Sequence, residues 1–417
     1  MASVSSKPAK RRTAVARPER NPYPIVLVHG WTGWGRDELG GYKYWGGIED
    51  LQEHLNNVGY ETHTVAVGPL SSNWDRACEL YAYLKGGRVD YGGAHAAKYG
   101  HERYGRFYPG ILQDWGKTTG SHKKIHLLAH SMGGQTSRQL IEFLYTGAPE
   151  EVDYSKNLGE TPHELFQGGK TDWVSSLTTL STPHNGTTLA NFAEITPIIR
   201  QLVVGLIELS GQTDMDVVYD FKLDQWGIGR HEDENLLDLL ERILASPLLT
   251  TQDFSPYDLS PEGARELNSK TPAKENIFYF SWATAATTRL RYKKEQVAAW
   301  HMLPLFRACA AAMGSCTTAC MWRTDDPVPL DSSWFENDGI VNTRSMRGPT
   351  IGSTDKIVAW NGAPQIGQWN YMGLKNGWDH FDIVGMNETW LFPLSALPEK
   401  INVFYEKIAE LLKRLPA

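Results

Sequence analysis

A chain of 417 residues with 41% hydrophobic content can bury a large core, as one elaborated domain or as two smaller ones. The formal charge of −7 comes from intermixed acids and bases, so the overall charge balance suggests neither a nucleic-acid footprint nor a polybasic membrane patch and favours small, apolar partners. No stretch reaches the roughly 20 apolar residues of a transmembrane segment, and fifteen Trp with eighteen Tyr suit either greasy ligands or a Trp-rich core.

Residues 1–21 open with Lys7, Lys10, Arg11, Arg12, Arg17 and Arg20 against a single Glu and lack an apolar h-region, so they read as a basic, disordered extension and not as a secretory signal. From residue 22 onward a single domain is expected. Tyr23 to His29 is a strand-like run ending at Gly30. Trp45 to Asn57 has helical spacing at Ile48, Leu51 and Leu55 and closes at Gly59, and Glu61 to Val67 is a second strand ending at Gly68-Pro69. A β-α-β unit therefore opens the domain. A first insertion, 70–109, is rich in Gly, Tyr and His. Further strand-like runs occur before Ser131 and at Trp173–Thr182, Asn276–Thr284 and Lys356–Trp360, which predicts an α/β fold with a mostly parallel central sheet and helices on both faces.

A second insertion spans 187–245. Within it Leu189, Phe192, Ile195, Ile199, Leu202 and Leu206 recur every three to four residues, one apolar helical face over Thr187–Gln212. Such a face ordinarily packs on a core. Here it follows the Thr182-Pro183-His184-Asn185-Gly186 turn at the carboxyl edge of a strand, where ligand sites lie, so a mobile lid is the competing reading. Cys78, Cys309, Cys316 and Cys320 are too few for a disulfide scaffold and lack zinc-knuckle spacing; Cys78 is expected to be buried and reduced, and the three clustered thiols leave the redox compartment open.

The most informative segment is KIHLLAHSMGG at 124–134, an apolar run driving into a serine flanked by small residues. That pattern is a nucleophile elbow, with Ala129 in place of the first glycine of G-x-S-x-G, and it points to ester chemistry. A serine hydroxyl needs a histidine to take its proton and a carboxylate to orient that histidine, in the chain order Ser, acid, His. Among His163, His184, His231, His301 and His380, only His380 lies in a late loop beyond the last strand-like run. The acid should sit in a tight turn, and Asp338 in Glu336-Asn337-Asp338-Gly339 has that form, with Asp325 and Asp326 as alternatives. Backbone N–H groups of Met132 and Trp31 are the candidate oxyanion hole.

Several blocks in the same order, His29-Gly30-Trp31-Thr32-Gly33-Trp34-Gly35, the elbow, TPHNGTTL at 182–189, DFKLDQWG at 220–227 and ENDGIVN at 336–342, resemble the thermoalkalophilic secreted lipases of Bacillus and Geobacillus and the related staphylococcal lipases. The resemblance covers nearly everything from about residue 22 onward. It implies an α/β-hydrolase with an inserted zinc-binding subdomain, secretion, carboxylester hydrolase activity and the same three triad positions; beside it stand the helical lid reading of 187–212 and the expectation of a monomer acting at a lipid–water interface. It also implies a structural zinc held by Asp75, His95, His101 and Asp224, two imidazoles and two carboxylates that suit a closed tetrahedral site. A calcium site would follow the catalytic His, with Asp382 as one carboxylate and Asn387 where an Asp is usual. Triacylglycerols or other insoluble esters, including aliphatic polyesters, are the expected substrates; a non-catalytic lipid-binding relative is the alternative that an intact Ser131, Asp338 and His380 disfavour.

Overall fold

The computed structural model describes residues 21–191, 195–211, 218–320, 326–386 and 400–417. Residues 1–20 of the basic extension, Phe192, Asp325 and Asn387 thus lie outside the described residues, whereas Asn21, expected to belong to the extension, is buried and its amide donates to Leu412 and Leu415 C=O at 2.7 and 3.0 Å. Seven strands form the central sheet: β1 Ile25–Val28, β2 Thr62–Val65, β3 Ile125–His130, β4 Val174–Leu180, β5 Phe278–Ala285, β6 Ile357–Ala359 and β7 Trp369–Asn376. Their order is β6-β7-β5-β4-β3-β1-β2, and every neighbouring pair is parallel. Both faces of the central strands are covered, which is why β1 (IVLV) and β3 (IHLLAH) read as nearly continuous apolar runs. In β1, Ile25 and Leu27 enter one core and Val26 and Val28 the other.

The register sets where the site falls. Val28 is level with Val65 and Ala129, while His130 is level with Leu180 and Leu180 with Trp282. The loops after β1, β3 and β4 consequently leave the sheet side by side at its carboxyl edge. Helix α1, Leu51–Asn57, is shorter than its spacing predicts, because Gly46 and Gly47 hold positive φ and Asp50 caps the first turn by accepting from Glu53 N–H; Ile48 lies exposed before it. Strand β7 carries Gly373, Lys375 and Asn376 and was not foreseen, although it pairs with β6 and β5 on either side.

The first insertion folds as helix α2 (Asn73–Lys85), an antiparallel pair of Gly87–Asp90 with Tyr104–Tyr108, and a short helix α3 (Gly93–Tyr99) between them. Helix α4 (Met132–Tyr145) follows β3 directly. In the second insertion the helix α5 spans Ile195–Leu209, with Thr187 in the preceding turn and Leu189 in a separate 3-10 turn, Thr188–Asn191. Beyond it come α6 (Leu236–Leu244), α7 (Pro304–Met313) and α8 (Ile401–Lys413). Among the described residues no helix is long and apolar enough to cross a membrane.

Candidate active site and metal centre

Ser131 occupies the turn between β3 and α4 with φ 53° and ψ −132°, a backbone conformation that a residue with a side chain adopts only when its surroundings impose it. Three contacts impose it. Its N–H donates to Leu180 C=O at 2.9 Å, its C=O accepts from Gly134 N–H at 3.0 Å, and the Thr182 hydroxyl donates to the same oxygen at 2.8 Å. The small residues around the serine have steric causes. A Cβ on Gly133 would stand 2.4 Å from Val28 O and 2.7 Å from His29 O, and one on Gly30 would stand 2.6 Å from Ser131 Cβ. Ala129, the departure from the usual glycine, is fully buried within the strand and is accommodated there.

The serine meets the predicted partners. His380 Nε2 lies 3.0 Å from Ser131 Oγ, and His380 Nδ1 lies 2.7 Å from Asp338 Oδ2. Asp338 is fully buried, and every side of its carboxylate is engaged: Oδ1 accepts from Ile340 N–H and Val341 N–H at 3.0 and 2.8 Å, and Oδ2 also accepts from the Thr284 hydroxyl at 2.7 Å. Its backbone C=O holds His380 N–H at 3.0 Å, so the turn carrying the acid also fixes the loop carrying the base. Of the alternative acids, Asp326 instead pairs with Arg265 on the surface.

Residues not singled out in the sequence brace this arrangement. The Tyr44 hydroxyl accepts from Gly30 N–H at 2.9 Å and donates to His130 Nδ1 at 2.6 Å; His130 Nε2–H then donates to His380 C=O at 3.0 Å. Burial, with the nearby His380, pushes the His130 pKa far below its ordinary value, in keeping with the neutral imidazole this chain requires. Arg76, fully buried, donates to His29 C=O at 2.6 Å, Gly68 C=O at 2.7 Å and the Thr136 hydroxyl at 2.8 Å, tying the loop after β1 to α2 and α4. Trp31 lines an apolar cavity above Ser131 with Leu189, Leu259, Ile340 and Val341. Met132 is the first residue of α4, where backbone N–H groups have no intrahelical partner. Ser131 itself is only 3% exposed, and Ile199, Leu202, Val203 and Leu206 of α5 are buried in the same apolar cluster as Trp31 and Met132.

A second constellation lies in the first insertion. Asp75 on α2, His95 on α3 and His101 after its left-handed Gly100 converge as expected, but the fourth member is Asp253 and not Asp224. His95 Nε2 stands 3.1 Å from Asp253 Oδ2 and 3.4 Å from Asp75 Oδ1, and His101 Nε2 stands 3.2 Å from Asp253 Oδ2. The 3-10 turn Asp224–Trp226 explains the difference. It directs Asp224 outward to Arg106, while Gln225, buried, donates to Asp75 Oδ2 at 2.7 Å and the Trp226 ring lies 4.9 Å from His101. The segment that resembles the lipases therefore supports the cluster from outside.

The donor set fits a cation. Asp75 Oδ1, His95 Nε2, His101 Nε2 and Asp253 Oδ2 are all buried with no hydrogen-bond partner, a costly arrangement unless positive charge compensates them. Burial, then Asp253, pushes the Asp75 carboxyl up; burial works to lower His95, yet Asp253 and Asp75 push it up to about 9. A metal ion would take the place of those shared protons. His101 Nδ1 donates to Glu102 C=O at 2.9 Å, which leaves Nε2 as the free lone pair, and His95 stacks 4.6 Å from Trp74 at 3°. Asp382 is buried beside His380 with Oδ2 accepting from Asp379 N–H at 2.7 Å, and among the described residues it belongs to no group of three or more metal-ligating side chains.

A parallel sheet of this strand order, with a serine on the sharp turn after a central strand and its histidine and aspartate delivered by later loops, defines an α/β-hydrolase. The model of the family described as the lipase-like C-terminal domain matches residues 21–415. The chain is 38% identical over 407 residues to Lipase 1 of Staphylococcus aureus, covering 93% of this chain and 56% of that one. Among solved structures, EstA of Clostridium botulinum superposes with a TM-score of 0.86 at 44% identity, covering 98% of this chain and 92% of that one. The Staphylococcus hyicus lipase does so with a TM-score of 0.77 at 37% identity, covering 96% and 98%. The chain belongs to this lipase family, and it spans about half the length of the curated staphylococcal relatives it matches.

Proposed function

We propose that the protein is a serine carboxylester hydrolase, a triacylglycerol lipase in substrate class. The observation that carries this reading is the unbroken contact from Ser131 Oγ through His380 to the buried Asp338 carboxylate, beneath an apolar cavity. Ser131 Oγ attacks the ester carbonyl carbon while His380 Nε2 takes its proton. His380 Nδ1–H donates to Asp338 Oδ2, and Asp338 stabilises the imidazolium without accepting the proton. The N–H groups of Met132 and Trp31 receive the developing oxyanion. His380 then protonates the departing alcohol, and water, activated by the same imidazole, releases the acid and restores Ser131.

The apolar lining of Leu189, Leu259, Ile340 and Val341 suits an acyl chain, and a serine that is almost fully buried, with α5 packed in the same apolar cluster as its neighbours Trp31 and Met132, suits a substrate that arrives at an interface. Aliphatic polyesters share the same ester chemistry and remain within the substrate class. We assign Asp75, His95, His101 and Asp253 to a structural zinc, since four protein donors close the coordination shell and leave no position for substrate. Calcium at Asp382 rests on the resemblance alone. Secretion is the expectation carried from the staphylococcal lipases.

Ser131→Ala tests the assignment, because alanine fits the elbow while lacking the nucleophile. It is expected to abolish hydrolysis of p-nitrophenyl esters and emulsified triolein with an unchanged melting temperature; appreciable turnover by the folded variant would overturn the reading.

A further inference from the structure

Beyond the triad and the metal cluster, one surface element has no explanation in the fold. Thr287–Arg289 and Gln296–Ala298 pair as a short antiparallel hairpin beyond β5. Its loop is closed by Lys293 N–H donating to Leu290 C=O at 3.1 Å and by Leu290 N–H donating to Glu295 C=O at 3.0 Å. The third residue of that turn, Tyr292, has φ 65°, a conformation that ordinarily falls to Gly or Asn. Tyr292 is nonetheless 91% exposed, so its ring gains nothing from the core in return.

The Arg291 guanidinium lies 5.1 Å from the centre of that ring, and the rest of the hairpin is rich in cations with exposed apolar residues at its turn and beyond its return strand. Arg289, Arg291, Lys293 and Lys294 are exposed there against one acid, Glu295, in a chain whose net charge is −7. Among the described residues these four cations form no ion pair with a carboxylate. Leu290 is 37% exposed, and Trp300, where the hairpin returns, is 71% exposed. Cations beside an amphipathic aromatic are the chemistry that binds anionic headgroups and seats a ring at the headgroup boundary.

Placement ties the hairpin to the site. Its return strand leads to α7, to which it is bonded by Gln296 N–H donating to Gly314 C=O at 2.8 Å. The other flank of α7 meets helix α5, where Gln201 Nε2 donates to Leu305 C=O at 3.0 Å and Leu305 packs on Gly205. Beyond the hairpin, Leu303 N–H donates to Asp379 Oδ2, one residue before His380.

We infer that the Thr287–Ala298 hairpin is a docking element for an anionic lipid surface, with Tyr292 seated among the headgroups and the four cations on their charges, joined through α7 to the apolar helix α5. The inference rests on the lipase reading for its purpose, not for its test. Full-length protein carrying Ser131→Ala, which leaves lipid intact, is sedimented with phosphatidylglycerol or phosphatidylcholine vesicles. Binding to phosphatidylglycerol is expected to exceed binding to phosphatidylcholine and to weaken as salt rises from 0.1 to 0.5 M. Each cation near an anionic surface is worth about fivefold in partitioning, so R291Q/K293Q/K294Q is expected to lose on the order of 100-fold.

Tyr292→Gly is the complementary variant. Glycine suits the turn, so its melting temperature should stay level or rise while vesicle binding falls about fivefold. In chains that retain Ser131, both hairpin variants should hydrolyse a short soluble ester at the wild-type rate. Equal binding to the two vesicle types, or unchanged binding by both variants, would overturn the docking assignment. Preferential phosphatidylglycerol binding by a wild-type chain with no ester turnover would uphold docking and overturn the lipase reading.

Discussion

Asp253→Asn is the perturbation that separates the metal centre the structure builds from the one the sequence suggests. The substitution removes the charge from the carboxylate whose single oxygen lies 3.1 Å from His95 Nε2 and 3.2 Å from His101 Nε2. Loss of a supporting group outside the ligand shell already lowers metal affinity by about 10- to 100-fold, so loss of a direct ligand should cost at least the upper figure. With metal in excess, each factor of ten in affinity is worth about 1.4 kcal/mol of stability in the loaded protein. Asp253→Asn should therefore forfeit about 3 kcal/mol or more. Asp224→Asn, by contrast, breaks a half-exposed ion pair with Arg106, a contact worth about 0.2–1 kcal/mol. The assay is metal content by plasma mass spectrometry together with thermal unfolding, each with and without chelator. Wild type and Asp224→Asn should carry one zinc and lose melting temperature on chelation; Asp253→Asn should be substoichiometric and melt where chelated wild type melts. One tightly held zinc in Asp253→Asn, or its loss in Asp224→Asn, would refute the reasoning.

Asp338→Asn should reduce kcat by several orders of magnitude with little change in stability, because an amide presents the wrong hydrogen-bond character to His380 Nδ1; a near-wild-type rate would return the acid's role to Asp325 or Asp326. Replacing Ile199 and Leu202 by Ser should flatten the rise in activity at the solubility limit of a short triglyceride while sparing p-nitrophenyl acetate, and a wild type with no such rise would make α5 a fixed wall. Acid sensitivity follows from buried neutral imidazoles. Burial holds His126 down to about 3, so the folded state binds fewer protons than the unfolded one, and stability present above the ordinary value of 6.5 is lost as pH falls toward 3. At pH 5 this single group costs about 2 kcal/mol, and His126→Gln should flatten the melting-temperature profile between pH 6.5 and 4; an unchanged slope would remove His126 from the account and leave the loss to the other buried imidazoles, His29, His130 and His184, or to carboxylates.

The sheet and the Ser131–His380–Asp338 contact were legible because each rests on patterns close in the sequence. Runs such as IVLV and IHLLAH are buried on both faces, Ser131 and Asp338 each sit at a turn whose glycines are sterically required, and His380 follows Gly377, which holds φ 83°. What escaped depends on contacts between distant segments. Strand β7 reads as polar because Lys375 and Asn376 remain partly exposed, and only its two parallel neighbours make it a strand. Asp253 carries no local signal that separates it from other acids, whereas Asp224 sits in a segment that matches the lipases yet turns its carboxylate to Arg106. Likewise Tyr44 and Arg76 brace the loops around Ser131 through partners up to 86 residues apart in sequence, which no spacing rule exposes.

The central claim is that Ser131 is the nucleophile of an ester hydrolase activated by His380. A fluorophosphonate probe followed by peptide mass spectrometry tests it most directly. The account predicts one adduct per chain, on Ser131, formed in step with the loss of ester turnover and suppressed in His380→Ala. An adduct on another residue, or full turnover after Ser131 is fully labelled, would contradict it.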